Sequence, residues 1–131
     1  MRAIVAFAAA LLSGPSLADT VRHASLPERL WGKWAPSADL CQDDKAFIIL
    51  SEKAYVSSEA SCAIRWVTET AGARGPIYSA HMQCSKPTSN ERKTETNLMM
   101  MSNHDGQLSV GADFKNLRIY ERCPNSMDGR N

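Results

Sequence analysis

The chain lacks a charge excess, a membrane-length apolar run and any compact cysteine or histidine motif. Its 131 residues carry a formal net charge of +1, and aromatic residues make up only 7%. Non-specific binding to nucleic acid or anionic membrane needs a basic excess, so no nucleic-acid partner is expected. Nothing in the sequence reaches the roughly 20 consecutive apolar residues of a spanning helix, so no membrane span is expected. The gaps between the cysteines are too wide for zinc knuckles or Cys-x-x-Cys redox chemistry. No Gly-x-Ser-x-Gly occurs, and no serine has a His/Asp pair at an identifiable spacing. His23, His81 and His104 fall in an N-terminal arm, on an outward strand face and in a turn, and read as solvated. Asp43-Asp44 reads as a turn, since the few oxygens nearby do not make a cation site. These absences point to a non-enzymatic protein with no cofactor and no metal.

The first eighteen residues have a different composition from the rest. Arg2 supplies a positive start and Ala3–Leu12 is an uninterrupted apolar run. Ser13-Gly14-Pro15 then breaks any helix, and Ser16 and Ala18 place small residues at −3 and −1 before Asp19. This is the pattern of a secretory signal peptide over 1–18. Arg2 is the leader's one charge, so the remaining 113 residues are neutral. A periplasmic or secreted location follows as the expectation.

Cys41, Cys62, Cys84 and Cys123 all lie beyond that leader. In an oxidising compartment an even set in a small domain reads as two disulfides, with three possible connectivities. Cys62-Ala-Ile64-Arg-Trp66 and Ala80-His-Met82-Gln-Cys84 each alternate like half-buried strands, with a turn-rich loop over residues 71–76 between them. Folding the pair about residue 73 sets Cys62 opposite Cys84, Ile64 opposite Met82 and Trp66 opposite Ala80. Opposed residues in an antiparallel pair share a face, so this register favours Cys62–Cys84 and leaves Cys41–Cys123. Thiol nucleophiles are then unavailable.

Along the remainder, 19–25 reads as a flexible arm, 26–123 as one β domain and 124–131 as a polar tail. Leu26–Trp31 can form one helical turn with Pro27 at its start. Strands are expected at Gly32–Trp34, Ala46–Leu50, Tyr55–Ala60, Cys62–Thr68, Tyr78–Cys84, Arg92–Met101, Leu108–Val110 and Phe114–Arg122. The last alternates through Leu117 and Ile119, and Asp105-Gly106 marks a hairpin turn. Met99-Met100-Met101 reads as strand residues filling core space. Seven or eight short strands with no long amphipathic helix predict an all-β antiparallel meander, closed into a small lipocalin-like barrel with two disulfides. Closure removes exposed edges, and a Cys41–Cys123 bridge would join the first and last strand regions. A monomer is expected.

Ser25-Leu26-Pro27, a helical turn, Gly32-Lys-Trp34 and then Cys41 together resemble the opening of lipocalin-type barrels. They are still more similar to the small periplasmic metalloprotease inhibitors of the Inh type, and to exported bacterial Gly-x-Trp chains with four cysteines. The inhibitor family carries a single cysteine pair, so the second pair here is a departure. The lipocalin resemblance implies that Arg122 on the last strand packs on the opening tryptophan. The inhibitor resemblance implies that the N-terminal arm enters a protease cleft, which makes Asp19 and Thr20 candidate binding residues. Trp31 and Trp34 are candidates too, as barrel-plug residues that would line an apolar mouth, and Trp66 is placed in the core. The resulting functional expectation is a binding module for an unknown protein partner. The alternatives are a metalloprotease inhibitor and a carrier of a small apolar ligand.

Overall fold

The computed structural model describes residue 3 and residues 20–86, 93–103 and 105–124. Residues 1–2, 4–19, 87–92, 104 and 125–131, among them most of the expected leader, Asp19, His104 and the expected polar tail, lie outside the described residues. Nine strands form one antiparallel sheet: β1 (Thr20–His23), β2 (Gly32–Ala35), β3 (Ile48–Ser51), β4 (Ala54–Val56), β5 (Ser61–Gly72), β6 (Gly75–Ser85), β7 (Thr94–Ser102), β8 (Gln107–Gly111) and β9 (Arg118–Arg122). Strands β2 to β9 pair with their chain neighbours, and β9 returns to β2 through Trp34↔Arg122 and Ala35↔Glu121. The result is a closed eight-stranded up-and-down barrel. Among the described residues no α-helix occurs, only 3-10 turns.

Each strand follows its alternation. Inward positions Trp34, Ile48, Leu50, Ile64, Val67, Ala80, Met82, Met100 and Leu108 are all less than 5% exposed and fill the interior. Each large apolar side chain among them contributes about 1.5–3 kcal/mol by leaving water. Met100 is fully buried while Met99 and Met101 are only half-buried on the outer side. Gly32 adopts φ of 130°, a region open to glycine, and this lets the chain turn from the 3-10 segment Glu28–Leu30 into β2. That conformation is the physical content of the glycine in Gly-x-Trp.

Both disulfides are as the hairpin register favoured. Cys62–Cys84 links directly opposed residues of β5 and β6 on the inner face. Cys41–Cys123 pins the β2–β3 loop to the end of β9, across the seam that closes the barrel. Around it Ala35, Cys41 and Cys123 form a second small core outside the barrel, packed by Leu40 and Phe47. Two disulfides fit an oxidising, non-cytoplasmic compartment. No helix among the described residues is long and apolar enough to cross a membrane.

Four local expectations are corrected. The segment read as a flexible arm is strand β1 over Thr20–His23, paired to Val67–Thr70 of β5. β5 runs twelve residues while β4 covers only its start, and β1 takes the edge that β4 leaves open. The turn-rich loop is shorter than read: β5 and β6 continue to Gly72 and Gly75, leaving a two-residue turn. A β-bulge between Ile64 and Trp66 shifts the register, so Val67 rather than Trp66 faces Ala80. Trp66 therefore turns outward and pairs with His81. Finally, β9 presents the opposite face to the one read. Ile119 is 55% exposed, while Arg118, Tyr120 and Arg122 lie opposite Val110, Leu108 and Trp34 and so point inward.

Candidate binding groove at the open end of the barrel

The two ends of the barrel are built differently. At the end where β2 begins, Leu26 and Leu30 enter the interior with 1% of their surface exposed. The segment is fixed by backbone bonds from Leu26 N–H to Glu52 O at 2.9 Å and from Leu30 N–H to Pro27 O at 3.0 Å. Trp34 donates its indole N–H to Leu30 O, and Trp31 donates its own to Leu26 O, each at 3.0 Å. Arg122 lies 4.2 Å over the Trp34 ring and donates to the carbonyls of Trp31 and Arg29. Burial lowers the Arg122 pKa from its ordinary value, and the two carbonyls and the ring face supply what solvent no longer does. Arg29 donates to the Tyr78 hydroxyl and covers its ring. Burial raises the Tyr78 pKa, with Arg29 opposing. The packing of Arg122 on the opening tryptophan is thus present as the lipocalin resemblance implied. This end is a plug.

At the opposite end the described residues leave a groove. Strands β3, β4 and β9 stop there, and the loops after β2 and β4 stand on either side of a groove of about 340 Å3. Ile48, Tyr55 and Tyr120 form its inner wall. One rim is the β2–β3 loop with Lys45 and Phe47, anchored from behind by Cys41–Cys123. Lys33 reinforces that rim, donating to Cys41 O at 3.3 Å and lying 4.3 Å over the Phe47 ring. The other rim is the β4–β5 loop, held by Ser57, whose hydroxyl accepts from the backbone N–H groups of Glu59 and Ala60. Arg118 enters from β9.

Polar chemistry dominates this groove. Tyr55 is half-buried; burial raises its pKa, a hydrogen bond with Ser57 opposes, and the nearby Tyr120 and Glu59 raise it further. Arg118 makes no ion pair or side-chain hydrogen bond among the described residues, although Glu59 lines the same groove. The arrangement offers hydroxyl donors and acceptors, aromatic faces, two cations in Lys45 and Arg118, and one anion in Glu59. Among the described residues no free cysteine occurs, and no cluster of three His, Cys, Asp or Glu has metal-binding geometry.

Candidate residues read from the sequence fall elsewhere. Trp31 and Trp34 both belong to the plug. Thr20 begins β1 and pairs through its hydroxyl with Thr70 at 3.3 Å; Asp19 lies outside the described residues. His23 bonds Glu69 at 2.9 Å. On the outer face, Arg22 covers Trp66, Trp66 stacks on His81 at 4.1 Å, and His81 bonds Asn97 at 2.9 Å. This stack clamps β1 to the barrel wall. Asp43 acts as a turn residue, accepting from the Lys45 backbone N–H.

Sequence reasoning missed Arg118, Tyr120, Tyr55 and Glu59. A signal for the first two was present. If Arg122 packs on Trp34, then Tyr120 and Arg118 share its face by the two-residue strand period. No protein-family model, curated protein or solved structure matches the chain.

Proposed function

We propose that this chain is an exported, monomeric, non-enzymatic binding module whose recognition site is the open-end groove. The carrying observation is the contrast in polar satisfaction between the ends. The plug's indoles and guanidinium groups donate to internal carbonyls and a phenol, whereas among the described residues the Arg118 and Glu59 side chains of the groove have no ion-pair or hydrogen-bond partner. A barrel filled to its axis by Leu50, Met82, Met100 and Leu108 favours recognition at the rim over carriage of an apolar ligand inside. Use as a metalloprotease inhibitor rests on a free N-terminal segment. The pairing of Thr20–His23 with β5 leaves only residues before Thr20 for that role.

The test is a fragment screen on isotope-labelled protein, followed through backbone amide shifts. Hits that move the amides of Ile48, Tyr55–Glu59 and Arg118–Tyr120 support the reading. Hits confined to the plug or to β1, or no hits at all, overturn it.

A further inference from the structure

Arg118 and Glu59 are opposite charges in one groove, and they do not pair with each other. In a shared site, unlike side chains free to rotate normally find each other or solvent. Here both are exposed and meet solvent, each on a fixed stretch of backbone. Arg118 sits at the start of β9, at a position opposite Val110, and the strand ladder fixes that position. Glu59 rides on the β4–β5 turn, which Ser57 closes through its backbone bond to Ala60 O at 2.9 Å and its two hydroxyl contacts. Tyr55 and Tyr120 stand in the same groove, with Ile48 beside them. Two cations (Arg118, and Lys45 on the facing rim), one anion (Glu59) and aromatic walls therefore share a space of about 340 Å3, within the size range of small-ligand sites.

The geometry points to a small zwitterion as the ligand of this groove. Its carboxylate would meet Arg118, its ammonium Glu59, and a flat apolar body would lie against Tyr55 and Tyr120. The inference rests on the groove being the recognition site. A monoanion would satisfy Arg118 but face Glu59, and a monocation would face the reverse mismatch. Only a ligand carrying both charges satisfies both groups, and the Tyr55 and Tyr120 hydroxyls add directional bonds. Charge-assisted hydrogen bonds are the stronger class, so each matched end is worth about tenfold or more in affinity.

The probe set is 4-(aminomethyl)benzoate with its two single-charge relatives, 4-methylbenzoate and 4-methylbenzylamine, titrated by backbone amide shifts. The zwitterion is expected to bind about tenfold more tightly than either relative. In Arg118→Gln its affinity should fall toward that of the amine, with Lys45 the one cation left in the groove, and in Glu59→Gln to that of the acid. Equal affinities for all three probes at the groove, or variants without effect, overturn the zwitterion while leaving the groove as the recognition site. Probes that move only amides outside the groove overturn both. Each variant's amide spectrum away from the groove serves as the folding control.

Discussion

The plugged and open ends of one barrel use the same residue types for opposite purposes. At the plug, Arg122 and Arg29 each lie over an aromatic ring and donate to an acceptor within the protein. At the groove, Arg118 occupies the same face of the same strand as Arg122, four residues earlier, and has no protein acceptor among the described residues. Exposure sets the difference. Beside Trp34 the guanidinium is partly desolvated, and the two carbonyls and the ring face answer it. At the mouth, water answers it until a ligand does. An arginine on the inner face of a barrel strand thus serves stability or recognition according to how far it stands from the closed end.

That contrast can be broken most forcefully at the disulfides. Cys41–Cys123 closes 82 residues of sequence and Cys62–Cys84 closes 22. By loop entropy, removing the first is expected to cost about 4.5 kcal/mol and the second about 3.4 kcal/mol. Urea unfolding of the paired Cys→Ser variants measures both. A smaller loss for Cys41→Ser/Cys123→Ser than for the other pair would show that the seam gains little from its staple. Next in size is the pair of tryptophans. Trp34→Ala empties the plug and is expected to cost about 4 kcal/mol. Trp66→Ala, on the outer face, should cost about 1 kcal/mol or less and act mainly by loosening β1. Similar losses would refute the inside–outside assignment made by the bulge.

Much of the fold is legible in the sequence, and what is not has a common cause. The hairpin of β5 and β6 follows from alternation, and Cys62↔Cys84 and Ile64↔Met82 hold as far as Ile64. Beyond it one extra residue inverts the parity, and Trp66 leaves the core. Alternation alone cannot reveal a bulge, because an apolar residue sits at both Trp66 and Val67 and either could face inward. The β9 inversion has the same root. Ile119 is the apolar residue, yet closure onto β2 through Trp34↔Arg122 decides the face, and closure is a long-range pairing invisible in a nine-residue window. The groove residues were missed for that reason, since their identity as inner-face residues depends on the seam. The helical turn, Gly32 and Trp34 were readable because their chemistry is local. β1 was not: Thr20–His23 has little apolar content, and its stability comes from a vacant edge 44 to 50 residues away in sequence order (His23↔Val67 to Thr20↔Thr70).

A titration offers a third comparison. Tyr78 at the plug and Tyr55 at the groove both have raised pKa values, in each case chiefly from burial. A folded-state pKa above the unfolded value of about 10 means that the native state holds its proton more tightly. The associated stability is fully present below about pH 10 and is lost as pH rises through the folded-state value. The free energy of unfolding should therefore fall as pH rises above about 10. Tyr78→Phe and Tyr55→Phe should each flatten that fall. If neither does, phenolate formation is not what destabilises the protein in alkali.

The smallest expected effect on stability gives the sharpest test of the contrast between ends. Arg118→Gln and Glu59→Gln remove charges that stabilise nothing inside the protein, so each should shift unfolding free energy by less than about 0.5 kcal/mol. Arg122→Gln, on the same strand face, should cost about 2–3 kcal/mol, because the carbonyls of Arg29 and Trp31 lose a charged donor and Trp34 loses its cover. Chemical denaturation of the three variants side by side separates the roles with one observable. Should Arg118→Gln prove as costly as Arg122→Gln, its guanidinium would be part of the scaffold and the groove would lose its case as a recognition site. A near-zero cost at Arg118 and Glu59 beside a large one at Arg122 would mean that the open end holds unpaired charge without any gain in stability, as a site kept for a ligand would.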